Sequence, residues 1–255
     1  MRFEKWHALG NTYLVIERPV TGALDPGRVR RLCDPELGIG SHGVLEIVSR
    51  GVQTAEIVIW NPDGSVAEMS GNGTRIAALW LSGETGAAEV RITTAGREIH
   101  GRVVGQMQAE LDMGRVEVGS LDRLDVDGEA VSFVPVSVGN PHAVVHLPGA
   151  RRDDLLRLGP AIERHSRFPD RTNVQLVDPV GPTELQVLVW ERGAGETPAS
   201  GSSATAAAAA AVAEGWCVGP VDVHMPGGDL FVTLAGDRAT LLGPAERICV
   251  GETPL

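Results

Sequence analysis

The sequence is short of cysteine, of positive charge and of long apolar runs, and each shortage excludes something. Cys33, Cys217 and Cys249 are the only three cysteines in 255 residues. They are odd in number and far apart, with neither a Cys-x-x-Cys pair nor a paired-histidine spacing beside them. A disulfide framework and a zinc site of ordinary spacing are therefore excluded, and the thiols read as buried or incidental ones of a cytoplasmic protein. Basic residues number 22 against 33 acidic ones, for a net charge of −11, and form no stripe or cluster. That argues against nucleic acid or an anionic membrane as partner and leaves the acidity as a solubility feature. The longest apolar run, Ala206 to Ala213, is too short and too rich in alanine to span a bilayer. The opening Met1-Arg-Phe-Glu-Lys-Trp-His7 has no apolar signal segment. No phosphate loop, dinucleotide fingerprint or pyridoxal-phosphate pattern is present, since Gly38-Ile-Gly40 lacks the strand–turn–helix context such a motif needs. A cytoplasmic protein without metal or cofactor is expected.

What the sequence does have is a repeat. Trp60 matches Trp190, Ser70 matches Ser200, Gly71 matches Gly201 and Ala77 matches Ala207, each pair 130 positions apart. Gly10-Asn11 recurs as Gly139-Asn140 at a spacing of 129, and Val90–Gly96 recurs as Val221–Gly227 at 131. Three collinear matches make the chain two copies of one unit. With 43% hydrophobic residues, both copies can form real cores. The division expected is residues 1–116 and 117–255, with residues 245–255 free to pack back on the first domain.

Each copy reads as strands around one principal helix. In the first, strands are expected on either side of the Gly10-Asn11 turn, then a helix from Asp25 to Cys33 with Asp25-Pro26 as its cap and first position. Strands at 44–49 and 56–60, a helix through Ile76–Leu81 and a hairpin broken at Ala95-Gly96 follow. The second copy repeats this plan, with a helix around Ala161 to Arg167, strands at 174–177 and 185–189, a helix over 204–214 and a hairpin over 221–234. The fold class expected is α+β: two pseudo-symmetric domains, each a β-structure wrapped around a central helix, with the active site in the cleft between them.

The stretch from Trp60 to Arg75 and its copy from Trp190 to Thr205 carry the chemistry. Each runs from a strand through a turn to Ser-Gly at a helix start, where backbone N–H groups without helical partners and the helix dipole suit a carboxylate. Equivalent groups on two walls suit inversion of a stereocentre, in which one group removes a proton and its opposite number supplies one. Read singly, each Ser-Gly is an ordinary N-cap and each Gly-Asn a turn; the repeat is what argues for more.

Ala8-Leu-Gly-Asn11, Asn61-x-Asp-Gly-Ser65, Glu68-Met-x-Gly-Asn-Gly-Thr-Arg75, Val138-Gly-Asn-Pro-His142, Arg171-Thr-Asn173 and Glu191-Arg-Gly-Ala-Gly-Glu-Thr197 together resemble diaminopimelate epimerase, in family order along the whole chain. The resemblance implies cofactor-independent interconversion of LL- and meso-diaminopimelate, in lysine and cell-wall biosynthesis, with a small amino acid as the partner molecule. It assigns Asn11, Asn61, Asn140, Asn173, Glu191 and Arg192 to substrate recognition. It also gives Gly71-Asn72 and Gly201-Ser202 as N–H donors to the reacting carboxylate, and places His142 near the reacting centre. The oligomeric state is open, a homodimer included.

The family's two catalytic positions hold cysteine, whereas this chain has Ser70 and Ser200. A thiol ionises near about pH 8.5 and lower at a helix N-terminus; a serine hydroxyl needs a partner to deprotonate it. Glu68 and Glu196 are the acidic neighbours in sequence, with their facing unknown. Three accounts fit: an epimerase working through its serines or a water and carboxylate, a variant stripped of both thiols, or a binding homologue or isomerase of another amino acid. Further departures at Ser202, Ser203 and Thr205 favour natural divergence.

Overall fold

The computed structural model describes residues 1–105 and 107–255, which form two compact units: Met1–Leu111 with Gly243–Leu255, and Asp112–Leu242. The first unit begins with strands β1 (Arg2–Ala8) and β2 (Asn11–Glu17), joined by a tight turn in which Leu9 and Gly10 take positive φ. A single helical turn, α1 (Arg18–Thr21), precedes α2 (Pro26–Cys33). Asp25 caps α2 by accepting from the N–H groups of Gly27 and Arg28, as its Asp-Pro start predicts. Strands β3 (Val44–Arg50) and β4 (Thr54–Trp60) and the short β5 (Val66–Ala67) lead to the long helix α3 (Gly71–Thr85). A meander, β6 (Glu89–Thr94), β7 (Arg97–Val104) and β8 (Gln108–Arg115), follows.

The second unit contains β9 (Glu117–Val118), β10 (Asp122–Val126), β11 (Glu129–Ser137), β12 (Pro141–His146), α4 (Arg152–Glu163), β13 (Asn173–Pro179), β14 (Glu184–Glu191), β15 (Gly195–Thr197) and α5 (Gly201–Ala213). It closes with β16 (Val221–Met225), β17 (Gly228–Ala235) and β18 (Arg238–Pro244), after which β19 (Glu246–Glu252) pairs antiparallel with β1 in the first unit.

The strand pairings reproduce the sequence repeat. In the first unit β1 is antiparallel to β2, β2 parallel to β3, β3 antiparallel to β4, and β4 parallel to β6. In the second, β11, β12, β13, β14 and β16 pair in the same order and senses. The parallel steps need crossovers, which α2 and α3 supply in one unit and α4 and α5 in the other. The principal helices are buried all round: Ile76 to Leu81 on α3 and Ala206 to Ala211 on α5 are at most 5% exposed. A helix apolar on every face belongs inside a core, and alanine lets the strands approach α5 closely.

One expectation is corrected. The outer helix of the second unit is not at Ala161 to Arg167 but at Arg152–Glu163, ending where that segment begins. Asp153 and Asp154 favour its first turn, and Leu155, Leu158 and Ile162 form its buried stripe.

Each tryptophan of the repeat is fixed by a buried carboxylate. Trp60 Nε1 donates to Glu46 Oε2 and Trp190 Nε1 to Glu163 Oε2, both at 2.9 Å. Burial pushes both carboxyls upward. At Glu46 that is outweighed by Arg18, the Leu24 N–H and Trp60, and at Glu163 by Trp190, the Gly193 N–H, Arg164 and Arg171, so both lie below the ordinary range. A carboxyl held low in the folded state stabilises it above the unfolded pKa, about 4.3, and that contribution disappears as pH falls through the folded value. Urea midpoints should therefore decline from about pH 4.3 downward, and Glu46→Gln should flatten the slope.

Candidate active site

In the first unit Ser70, Gly71 and Asn72 stand at the start of α3. Ser70 is the N-cap: its Oγ accepts from Gly73 N at 3.0 Å, and its carbonyl accepts from the N–H and hydroxyl of Thr74 at 2.8 Å each. The phenol oxygen of Tyr13, on β2, lies 3.0 Å from Ser70 Oγ. Gly71 and Asn72 form the buried first turn. Asn72 Oδ1 accepts from Arg75 Nη2 at 2.8 Å. Arg75 is fully buried with no partner at Nε or Nη1, and burial pulls its pKa to about 10. Asn11 opens β2 with its Oδ1 buried and unpartnered. Asn61 opens a turn closed by Asn61 N to Ser65 O at 2.8 Å, and its side chain donates to Ser65 Oγ at 2.9 Å.

The second unit builds a polar chain at the equivalent place. His142, on β12, is 1% exposed, and burial first, then the charge of Arg192, lower its pKa to about 3 against the opposing bond from Gln175. The ring is therefore neutral. Its Nδ1 accepts from Gln175 Nε2 at 3.0 Å, so the proton resides on Nε2, which donates to Asn140 Oδ1 at 3.0 Å. Gln175 Nε2 also reaches Ser203 Oγ, in the first turn of α5, at 3.0 Å. Gln175→Leu leaves His142 Nδ1 and Ser203 without this partner and should lower the unfolding free energy by about 1–3 kcal/mol. Urea unfolding checks the loss, and imidazole nitrogen shifts check the tautomer.

Asn173 spends its amide on backbone, donating to Pro141 O at 2.9 Å and accepting from Arg192 N at 3.0 Å. It thereby holds the turn carrying Glu191 and Arg192, which is fixed again by Gly193 N donating to Glu163 Oε1 at 2.9 Å. The exposed Arg192 side chain donates to Asp170 O at 3.3 Å. Burial raises the Glu191 carboxyl, opposed in part by the Ser200 hydroxyl. Ser200 is the N-cap of α5, is 3% exposed and makes no side-chain cap bond, unlike Ser70. Gly201 beside it is buried and Ser202 half-buried.

Two acidic neighbours can now be placed. Glu196 is committed to Arg152 through contacts of 2.7, 2.8 and 3.1 Å, and Glu68 is exposed. The residues that sequence reasoning passed over are Tyr13 and Gln175. The repeat contained a signal for Tyr13, which stands 129 positions before His142. Cys33 and Cys217 are buried and Cys249 exposed. Among the described residues there is no group of three or more His, Cys, Asp or Glu arranged to hold a metal ion, and no helix long and apolar enough to cross a membrane.

The profile of the diaminopimelate epimerase family matches residues 3–119 and 134–248. The chain belongs to the diaminopimelate epimerase family. It is 36% identical over 268 residues to the diaminopimelate epimerase of Magnetococcus marinus, covering 98% of this chain and 96% of that one. It is 35% identical over 274 residues to the enzyme of the same name from Pseudomonas syringae pv. tomato, covering 100% and 99%. A solved structure described as a predicted epimerase from Pseudomonas aeruginosa superposes with a TM-score of 0.75 at 18% identity, covering 100% of this chain and 99% of that one. A probable proline racemase from Agrobacterium radiobacter gives 0.74 at 17%, covering 100% and 93%. These two show a shared fold. As a member of the diaminopimelate epimerase family the chain is an isomerase.

Proposed function

We propose that the chain epimerises diaminopimelate at an α-carbon by two proton transfers, one through Ser70 and one through Ser200, without a cofactor. The observation that carries this reading is that two register-equivalent helices of 15 and 13 residues both begin at a serine N-cap followed by a buried glycine. A substrate carboxylate suits such N-termini, with Gly71, Asn72, Gly201 and Ser202 as donors. The curated relatives carry diaminopimelate in their names, which supports that substrate.

Recognition of the rest of the substrate falls to the remaining polar groups. The unpartnered Asn11 Oδ1 is an acceptor suited to an ammonium group. Asn61 and Asn140 present amides held by Ser65 and His142. Asn173 acts by holding the Glu191–Arg192 turn, and Arg192 supplies the charge for a distal carboxylate. Neutral His142 shapes the second half-site and gives up no proton near pH 7.

The test is incubation with LL- or meso-diaminopimelate in heavy water, followed by mass spectrometry. Deuterium should enter at an α-carbon and the two isomers should interconvert. Binding without exchange at high enzyme concentration would overturn epimerisation and leave an amino-acid-binding protein; faster exchange with another amino acid would reassign the substrate.

A further inference from the structure

We propose that Tyr13 is the ionisable partner of Ser70, the group that carries the proton Ser70 exchanges with the substrate. The inference rests on the epimerase reading above and adds a residue to it.

Serine alone is a poor acid and a poor base, so each half-site needs a second group. In the second unit the candidate is Glu191, which ends β14 opposite β15, the strand that leads to Ser200 at the start of α5. In the first unit the position equivalent to Glu191 is Asn61, which cannot ionise, and Glu68 is exposed. The ionisable group that touches Ser70 is the Tyr13 phenol, 3.0 Å from its Oγ. Tyr13 is 6% exposed, so its bond to Ser70 faces little competition from water.

The surroundings are shaped to aim this ring. Gly43, just before β3, leaves the space the ring occupies: a Cβ there would lie 2.7 Å from Tyr13 Cε1 and 2.5 Å from the Trp60 carbonyl oxygen. In the second unit the matching residue is Asn173, beside His142 in the strand register. Ser70 Oγ accepts from Gly73 N–H, which fixes the oxygen and leaves its other lone pair and its proton for the phenol and the substrate.

The proton balance closes without any further reagent. In one direction the substrate Cα–H bond breaks and its proton goes to Ser200 Oγ while the Ser200 proton passes to the Glu191 carboxylate. The electron pair left on the substrate takes the Ser70 proton on the other face, and the Tyr13 O–H proton refills Ser70. Tyrosinate and a protonated Glu191 result, and solvent returns the proton between turnovers. In the other direction tyrosinate is the base, acting through Ser70.

The experiment is a cycle of four proteins: wild type, Tyr13→Phe, Ser70→Cys and the double variant, each assayed for α-hydrogen exchange with meso-diaminopimelate. Tyr13→Phe removes one oxygen and keeps the ring. It should lower kcat about 100-fold with KM nearly unchanged, and the same change in the Ser70→Cys background should alter the rate less than about threefold, because a thiol ionises by itself. A loss of equal size in both backgrounds would mean that the phenol oxygen matters for something other than the Ser70 proton and would overturn the proposal. So would exchange by Tyr13→Phe at the wild-type rate, which leaves the epimerase reading intact. No exchange by wild type overturns both. Tyr13 is the only tyrosine in the chain, so a 13C label at the tyrosine Cζ gives one NMR signal, from this phenol alone. That signal should shift in Ser70→Ala, and an unchanged signal would overturn the pairing.

Discussion

Ser70→Cys combined with Ser200→Cys is expected to raise the rate of α-hydrogen exchange by at least about 100-fold. Both positions are N-caps, where the helix dipole and open N–H groups lower a thiol pKa from its ordinary value of about 8.5. A thiolate needs no helper, whereas each serine hydroxyl depends on Tyr13 or Glu191. The two substitutions differ in their structural cost. Ser200 makes no side-chain cap bond, so its replacement gives up none. Ser70 Oγ accepts from Gly73 N, and sulfur is a weaker acceptor, so that change should cost up to about 1 kcal/mol of stability. Deuterium incorporation measures the gain, with Ser70→Ala plus Ser200→Ala as the control expected to lose exchange. A doubly substituted protein that binds diaminopimelate and exchanges no faster than wild type would show that these two atoms are not where protons move.

The sequence exposed the architecture more fully than the site, for a physical reason. A repeat carries its fold with it, and the two units joined by the collinear matches pair their strands in the same order and senses. The outer helix of the second unit was expected around Ala161 to Arg167, beyond Gly159-Pro160, but both of these residues lie inside α4. Gly159 is there to admit the Trp190 ring, since a Cβ would lie 2.7 Å from its Cγ. Trp190 itself is bound to Glu163, the last residue of the same helix. That is tertiary packing, invisible to local pattern. Strand β19 went unread because Glu246 to Val250 are all exposed and show no alternation, so only its pairing with β1 defines it. At the site, Glu68 and Glu196 are the acidic neighbours in sequence, and nothing local says which way they face. The actual contacts are non-local: Tyr13 lies 57 positions from Ser70. Glu196 is drawn off by Arg152, 44 positions away.

Glu191→Gln is expected to reduce exchange by about 100-fold or more, with a pH signature that separates it from simple misfolding. Burial raises the Glu191 carboxyl above its ordinary value, and the Ser200 hydroxyl only partly opposes this. A raised carboxyl is a stronger base than an exposed one while still able to ionise, which suits it to take the Ser200 proton. The base must be ionised, so activity is present above the folded pKa and disappears as pH falls through it. The acid limb of kcat should therefore lie above about pH 4.3, the value for an ordinary glutamate. Linkage runs the other way for stability: a raised carboxyl destabilises the fold above the unfolded pKa, so Glu191→Gln should leave the protein at least as stable at pH 7 while slowing it. Glu196→Gln is the matched control. It removes an exposed ion pair with Arg152, worth at most about 1 kcal/mol, and should leave both the rate and the acid limb in place. If Glu191→Gln kept the wild-type rate, or if its acid limb persisted unchanged, the proton at Ser200 would have to come from elsewhere. If Glu196→Gln matched it, the bidentate pair with Arg152 would be the part that matters, through the turn it anchors next to Thr197.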